Sequence, residues 1–292
     1  MLYLEKWPIQ KIENTDEKFP ALLKQIPDSP KALYFRGNFL SENEKCFAIV
    51  GTRLTSDYGK EIAFSLANNL NQAGLVIVSG LAKGIDSWAA KGALESNGRT
   101  IAILGTGLDE PSFYPQENLT LAKKILENNG ALISEYPAGT RGAKFTFPQR
   151  NRIIAGVSLG VLVVEAKIKS GALITTAFAR QQKKKIFAVP GNIHSSNSKG
   201  CHLLIKQGAK LVESANDILK DLGLSPLASQ QHPAANPEEK LILNALRQNA
   251  LPIDKIIEIT KLPAQAVSIN LSIMEIENKV KNLGGNVYAL LG

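Results

Sequence analysis

The sequence predicts an α/β protein: an extended Rossmann-like, doubly wound and mostly parallel sheet, followed by a small winged-helix-like domain. Three observations predict it. Seven short apolar runs alternate with amphipathic stretches from residue 45 onward. The runs are rich in β-branched residues and end at Gly or a polar residue. A polar tail then separates them from three short helical patterns and a Gly-Gly turn.

The runs are KCFAIVG, LVIVSG, RTIAILG, GALISEY, LGVLVVEA, KKIFAVPG and AKLVES. Near-continuous hydrophobic strands alternating with helices imply a parallel sheet covered on both faces. The helices are read from YGKEIAFSLANNLNQAG, IDSWAAKGALESNG and NLTLAKKILENNG, the last stopped by Asn129–Gly130. The sheet domain is expected over residues 42–223. Residues 1–41 read as a short, separate lead-in, with two Pro-set turns and one short helix in FPALLKQIPDSPKALYFRGN. Residues 224–237 read as a linker. Residues 238–292 give three helices and a hairpin turning at Gly284–Gly285, the layout of a winged helix, the alternative from pattern alone being a plain three-helix cap.

The chain has 292 residues, 44% hydrophobic and 21% charged, as in a soluble globular protein. It has no apolar run long enough for a membrane span. Its N-terminus lacks a signal core, and Cys46 and Cys201 make no disulfide framework. A cytoplasmic location is expected. The net charge of +8 is concentrated: residues 140–210 hold thirteen cations and one acid, Glu165. Such a surplus is either a footprint for a polyanion or a solvated basic face.

Ligands of open α/β sheets bind outside the carboxyl ends of the strands. Four loops there combine Gly with Ser or Thr: GTRLTSDYG, SGLAKGIDS, GTGLDEP and EAKIKSGALITTA. Each is either a tight turn or a place where backbone amides and a helix N-terminus meet a phosphate. Together, beside the basic window, they point to a chain of phosphates. No G-x-x-x-x-G-K-[ST] is present, and no G-x-G-x-x-G follows the first strand. The second strand ends in Ser79–Gly80 rather than in the acid that holds a dinucleotide ribose. P-loop hydrolysis and NAD are therefore not expected, and no cofactor is assigned. His194, Cys201 and His202 have no metal spacing, and His232 falls in the linker. Glu165 reads as a general base, a ribose ligand or, preferably, a buried acid ordering its neighbouring loops. Asp86 reads as an acid at a helix N-terminus.

TRGAKFTFPQRNRIIAG, Thr140 to Gly156, carries Arg141, Lys144, Arg150 and Arg152 with no acid. Phe145 and Phe147 share a face if the chain is extended there, with Pro148 closing the extended segment and RNRIIAG starting a helix. Arg and Lys meet phosphates. An exposed ring stacks on any base, worth ~1–3 kcal/mol. A duplex hides base faces and a single strand offers them, so single-stranded nucleic acid fits better. Phe147 is the preferred stacking residue, the alternative for either ring being a place in the core.

These motifs resemble the DNA-processing protein A (DprA/Smf) family: GTRLTSDYG, SGLAKGIDSWAAKGAL, GTGLDEPSFYP, SEYPAGTR, FPQRNRIIAG, VVEAKIKSGALITTAFA and FAVPGN occur in its order, from about residue 19 to the end. The resemblance implies an extended Rossmann fold, cooperative binding of single-stranded DNA and a homodimer. It also implies loading of the recombinase RecA onto incoming strands in natural transformation, with no known enzymatic activity. It places the family's first-loop arginine on Arg53, the second loop on Ser79 and Gly80, and the K-x-x-F motif on Lys144 and Phe147. Many members carry a longer helical domain before the sheet, where about 40 residues stand here, a count read from the first strand. The C-terminal domain has six cations and six acids, so a protein contact or a weak DNA role is expected there rather than strong duplex binding.

The expected site gives phosphates to Arg53, Lys83, Lys144, Arg150 and Arg152, stacking to Phe147, and a base edge or phosphate to Asn151. Gly51, Ser79, Gly80, Ser170, Gly171 and Thr175 are expected to present backbone or hydroxyl donors. No catalytic residue or metal ligand is assigned. Two other functions remain open. A nucleotide phosphoribohydrolase has a similar sheet, but its P-G-G-x-G-T-x-x-E run has no counterpart in KSGALITTA. A small-nucleotide sensor would leave most of the basic window unused.

Overall fold

The computed structural model describes residues 4–227, 235–247, 249–277 and 279–290. The chain divides into two compact units, Met1–Pro226 and Leu227–Gly292. Half of the expected linker, residues 228–234 with His232, lies outside the described residues.

The strands of the first unit are β1 (Gln10–Glu13), β2 (Ala32–Gly37), β3 (Cys46–Val50), β4 (Val76–Ser79), β5 (Thr100–Leu104), β6 (Ala131–Ser134), β7 (Gly160–Val163), β8 (Lys185–Ala188) and β9 (Lys210–Leu211). Its helices are α1 (Ala21–Lys24), α2 (Asp57–Gln72), α3 (Ile85–Glu95), α4 (Leu119–Glu127), α5 (Thr146–Val157), α6 (Gly171–Gln181), α7 (Lys199–Lys206) and α8 (Ala215–Asp221). All nine strands form one sheet of order β1-β2-β6-β5-β4-β3-β7-β8-β9. The seven apolar runs become β3 to β9, paired in parallel, and only β1–β2 and β2–β6 are antiparallel.

Alternate residues of each strand serve opposite faces. Ala48, Val78, Ile103 and Val161 pack with Leu23 of α1, Ile153 and Ile154 of α5, Ala179 of α6 and Leu204 of α7. Ala102, Leu104 and Leu132 pack on the other face with Ala90 of α3 and Ile125 of α4. Burial on both faces is why the runs lack a polar period. The helices form where the apolar spacing is helical: Ala63, Leu66, Ala67 and Leu70 make the buried stripe of α2, and the Ser56 side chain caps it by accepting from the Gly59 amide.

Two expectations are corrected. The lead-in is not separate, because β1 and β2 belong to the main sheet and bury Ile12 and Leu33 in its core. Buried Arg36 of β2 ties it further, donating to the carbonyls of Leu108 (3.0 Å), Leu4 (2.7 Å) and Trp7. The segment around Phe147 is not extended either, since α5 begins at Thr146. Pro148 sits in its first turn, where a missing N–H costs no intrahelical bond.

The second unit contains α9 (Pro237–Leu246), β10 (Leu251–Pro252), α10 (Ile253–Thr260), α11 (Ala264–Ile276), β11 (Val280–Asn282) and β12 (Val287–Leu290). The strands pair in the order β10-β12-β11. The turn is at Gly284 and Gly285, whose φ values of +99° and +59° favour glycine. Ile242, Leu246, Ile256, Val267, Leu271, Met274 and Val280 form the core of this winged helix.

In the large sheet β3 lies between β4 and β7. The chain runs from β3 through β4 and β5 to β6 in one direction, and from β7 through β8 to β9 in the other. The loops after β3 and β7 therefore diverge. Divergence at the carboxyl edge is the switch point where doubly wound folds place ligands.

Candidate nucleic-acid interface

A cleft of about 830 Å³ opens at this switch point. Its floor is the end of β3, Val50 and Gly51, and its walls come from the loops after β3 and β5, the segment 141–144, and the starts of α5 and α6. Exposed Arg53, Arg141 and Lys144 face it, and Asp86 is the one acid in its lining.

Phe147 holds a central place. Its ring is half-buried, 5.5 Å from the ring of Tyr114 at 53°, with the Arg53 guanidinium 5.6 Å from its centroid. Gly105 and Gly142 leave it room, since a Cβ at Gly142 would come within 2.6 Å of the ring edge. Phe145 is far more exposed, at 68%. Phe147 lines the cleft between an aromatic and a cation, and Phe145 does not line it. Lys83 is exposed beside a smaller recess lined by Arg53, Tyr114 and Phe147, and it pairs with Glu117.

Two of the expected phosphate cations have other work. Arg150 is only 5% exposed. It donates to the carbonyls of Gly80 (2.9 Å) and Ile103, and through Nε to Asn151 Oδ1 (3.1 Å). Burial lowers its guanidinium to about 10, with the Asp86 charge opposing that shift and the Arg53 charge adding to it. A Cβ at Gly80 would force this guanidinium to shift. Arg152 is 3% exposed and bonds Asp28 (2.8 Å) and Glu135 (2.7 Å), outside the cleft lining. Residues two apart on a helix point in nearly opposite directions, so Arg150 reaches the strand ends while Arg152 ties α5 to the segment after α1 and to the end of β6.

The glycine loops also differ from expectation. Gly80 donates its amide to Asp86 Oδ2 (2.8 Å), and the backbone amides of Ala82 and Gly51 also favour the charged carboxylate. Burial pushes the Asp86 carboxyl above the usual range, against the pull of Arg150 and these amides. Ser79 is buried, its hydroxyl donating to the Asp86 carbonyl (3.4 Å) and accepting from the Leu81 amide (3.2 Å). Gly51, Ser79 and Gly80 therefore serve the protein itself.

Glu165, 3% exposed at the end of the fifth run, accepts from the Ser56 amide (3.0 Å), the Ser56 hydroxyl (2.6 Å) and the Thr55 hydroxyl (3.0 Å). These bonds hold the loop that carries Arg53. Asn151 joins α5 to α6, its Nδ2 donating to the Gly171 carbonyl (3.4 Å). Ser170 caps α6 by accepting from the Ala172 amide (3.3 Å), and buried Thr175 closes the wall. A Cβ at Gly171 would meet nothing within 4 Å, so this start of α6 is open to a ligand.

Arg141 and Tyr114 also line the cleft, although sequence reading did not assign them to the site. Arg141 had a signal, its place in the acid-free stretch. Tyr114, in GTGLDEPSFYP, had only its position after the third run. Among the described residues no group of three or more His, Cys, Asp or Glu is placed to hold a metal, and no helix is long and apolar enough to cross a membrane. In the second unit, α11 carries no Lys or Arg.

Comparison with known proteins gives this geometry a family. The DNA recombination-mediator protein A description matches residues 10–223, and the DprA winged helix domain matches residues 226–286. Protein Smf of Escherichia coli is 36% identical over 99% of this chain and 80% of its own length. DNA processing protein DprA of Streptococcus pneumoniae is 45% identical over 70% of this chain and 72% of its own length. Its X-ray structure superposes with a TM-score of 0.69, at 42% identity over 75% of each chain. A Helicobacter pylori DNA processing protein A, solved to describe its single-stranded DNA binding mode, superposes with a TM-score of 0.66 at 29% identity, over 76% of this chain and 98% of its own. Matched along almost its whole length, with the sheet and the winged helix in the same order, the chain belongs to the DNA recombination-mediator protein A family, the DprA/Smf proteins.

Proposed function

We propose that this protein binds single-stranded DNA in the switch-point cleft and acts as a recombination mediator, loading RecA recombinase onto incoming strands in natural transformation. In this reading it works in the cytoplasm as a homodimer, through binding rather than through a chemical step. The observation that carries it is the Phe147–Tyr114 pair set among Arg53, Arg141 and Lys144. Rings give every base a face to stack on, and the cations take the phosphates between bases. The open start of α6 at Ser170–Gly171 adds a favourable helix end for one phosphate. Arg150, Arg152, Asp86 and Glu165 hold this surface rather than touch the strand. The cation-free α11 supports a protein-contacting role for the winged helix over duplex binding.

Fluorescence anisotropy with a mixed-sequence single strand, the same sequence as duplex, and AMP tests the binding. The expected result is preference for the single strand, with log K falling against log salt by about 0.7 per phosphate contact. Equal duplex affinity, or displacement by millimolar AMP, would sink it. RecA loading is tested by following filament assembly on strands coated with single-strand-binding protein, and an unchanged assembly rate would remove that part. Sedimentation equilibrium decides the dimer.

A further inference from the structure

The floor of the cleft has the form of a phosphate site, yet a side chain of the protein already fills it. Asp86, in the first turn of α3, is 6% exposed and lines the cleft. The Gly80 amide donates to the Asp86 carboxylate (2.8 Å to Oδ2), and the backbone amides of Ala82 and Gly51 favour the same charge. They come from the loops after β3 and β4, and the charge of buried Arg150 acts on the same group. Backbone amides converging from turns, beside a helix start and a cation, make an anion-binding concavity. At a switch point, doubly wound nucleotide-binding proteins put a phosphate of the ligand there.

We propose that Asp86 is an internal anion and the residue that sets this cleft's specificity: it occupies the amide nest, shuts out free phosphate and mononucleotides, and leaves phosphate binding to the rim cations Arg53, Arg141 and Lys144. Exposed cations hold one phosphate weakly, and a single nucleotide offers them little. A polymer engages several at once, each further contact forming at high effective concentration. Closing the nest therefore favours a strand over its monomers without any contact between Asp86 and the strand. This inference rests on the single-strand reading for the polymer, and on the geometry alone for the filled nest.

The full chain and two variants test it. Asp86→Ala keeps a good helix former in α3 and removes the carboxylate. Asp86→Asn keeps the volume and one acceptor. The probes are sodium formate, a carboxylate small enough for the vacated space, and AMP, each against sodium chloride of equal ionic strength. Asp86→Ala is expected to melt below the parent in chloride and to recover in formate, and its AMP affinity is expected to rise by about tenfold or more. The parent and Asp86→Asn are expected to respond to neither. A structural acid alone would not give a gain of anion binding.

Parent protein that binds AMP as Asp86→Ala does would overturn the proposal. So would Asp86→Ala that gains neither formate stabilisation nor AMP affinity, including a chain that stays unfolded in both salts while Asp86→Asn folds. Parent protein that fails to bind single strands defeats the functional reading and leaves the formate result legible. Parent protein that binds strands while Asp86→Ala gains no anion defeats this inference alone.

Discussion

The guanidinium of Arg53 stands 5.6 Å from the centroid of the Phe147 ring, although 94 residues separate them in the chain. A cation above an aromatic face is attracted to it by about 0.5–1 kcal/mol at an exposed site, so each group holds the other in place. Phe147→Ala is expected to cost about 1–3 kcal/mol of single-strand affinity with little change of salt slope. Arg53→Ala is expected to flatten the slope by about 0.7. In a double-mutant cycle read by anisotropy the two losses should not add, and strict additivity would mean that the pair does not act together.

Arg141 and Arg152 lie eleven residues apart and should behave in opposite ways. Exposed Arg141 lines the cleft, so Arg141→Ala should flatten the salt slope and leave the melting temperature near that of the parent. Arg152 is buried between Asp28 and Glu135. Arg152→Ala should lower stability by about 1–3 kcal/mol, because it leaves the part-buried Glu135 carboxylate without its donor while Asp28 is open to water. In whatever folded protein remains, its salt slope should match that of the parent. A flattened slope for Arg152→Ala would return it to the binding surface.

Glu165 is expected to act on DNA only through the loop it holds. Glu165→Ala removes the acceptor for the Ser56 amide and for the Thr55 and Ser56 hydroxyls, at a cost of about 1–3 kcal/mol. Hydrogen exchange should speed up most at residues 52–57. Faster exchange spread evenly over the sheet would argue against a local role.

The wall carrying Arg141 should loosen in acid. Burial raises the Asp109 carboxyl, but the Gly139 amide (2.7 Å) and the Ser112 hydroxyl (2.8 Å) outweigh it and leave the group below its ordinary 3.8. A carboxylate depressed in the folded state contributes stability above the unfolded value and loses it as pH falls through the folded one. Melts from pH 6 downward should therefore show a loss beginning below about 4 that Asp109→Asn reduces. An identical pH profile for the variant would remove Asp109 as the cause.

Much of the fold was legible because parallel strands buried on both faces leave unbroken apolar runs, and all seven runs were strands. β1 was not, since QKIE buries only Ile12 and has no period to read. The start of α5 was missed because Pro148 resembles a break, although the first turn of a helix tolerates it. For the site, a sequence shows where cations accumulate but not which of them face water. Arg150 and Arg152 looked like Lys144 until the direction of α5 was known. The glycines after β3 and β4 looked like phosphate cradles because that geometry is present. What the sequence could not show was that Asp86 lies inside it.

The antiparallel addition of β1 and β2 bears on how the border of the large sheet is kept from indiscriminate strand pairing. Without them β6, whose four residues are all buried, would end the sheet with a row of unpaired N–H and C=O groups. Such a bare edge is a template for strand-to-strand association. The opposite border needs no such cover, because β9 has only two residues. β1 and β2 thus cover an edge that would otherwise invite aggregation. A chain shortened to begin at residue 42 should run on gel filtration as aggregates larger than the assembly of the parent, even with the residues lining its cleft all present.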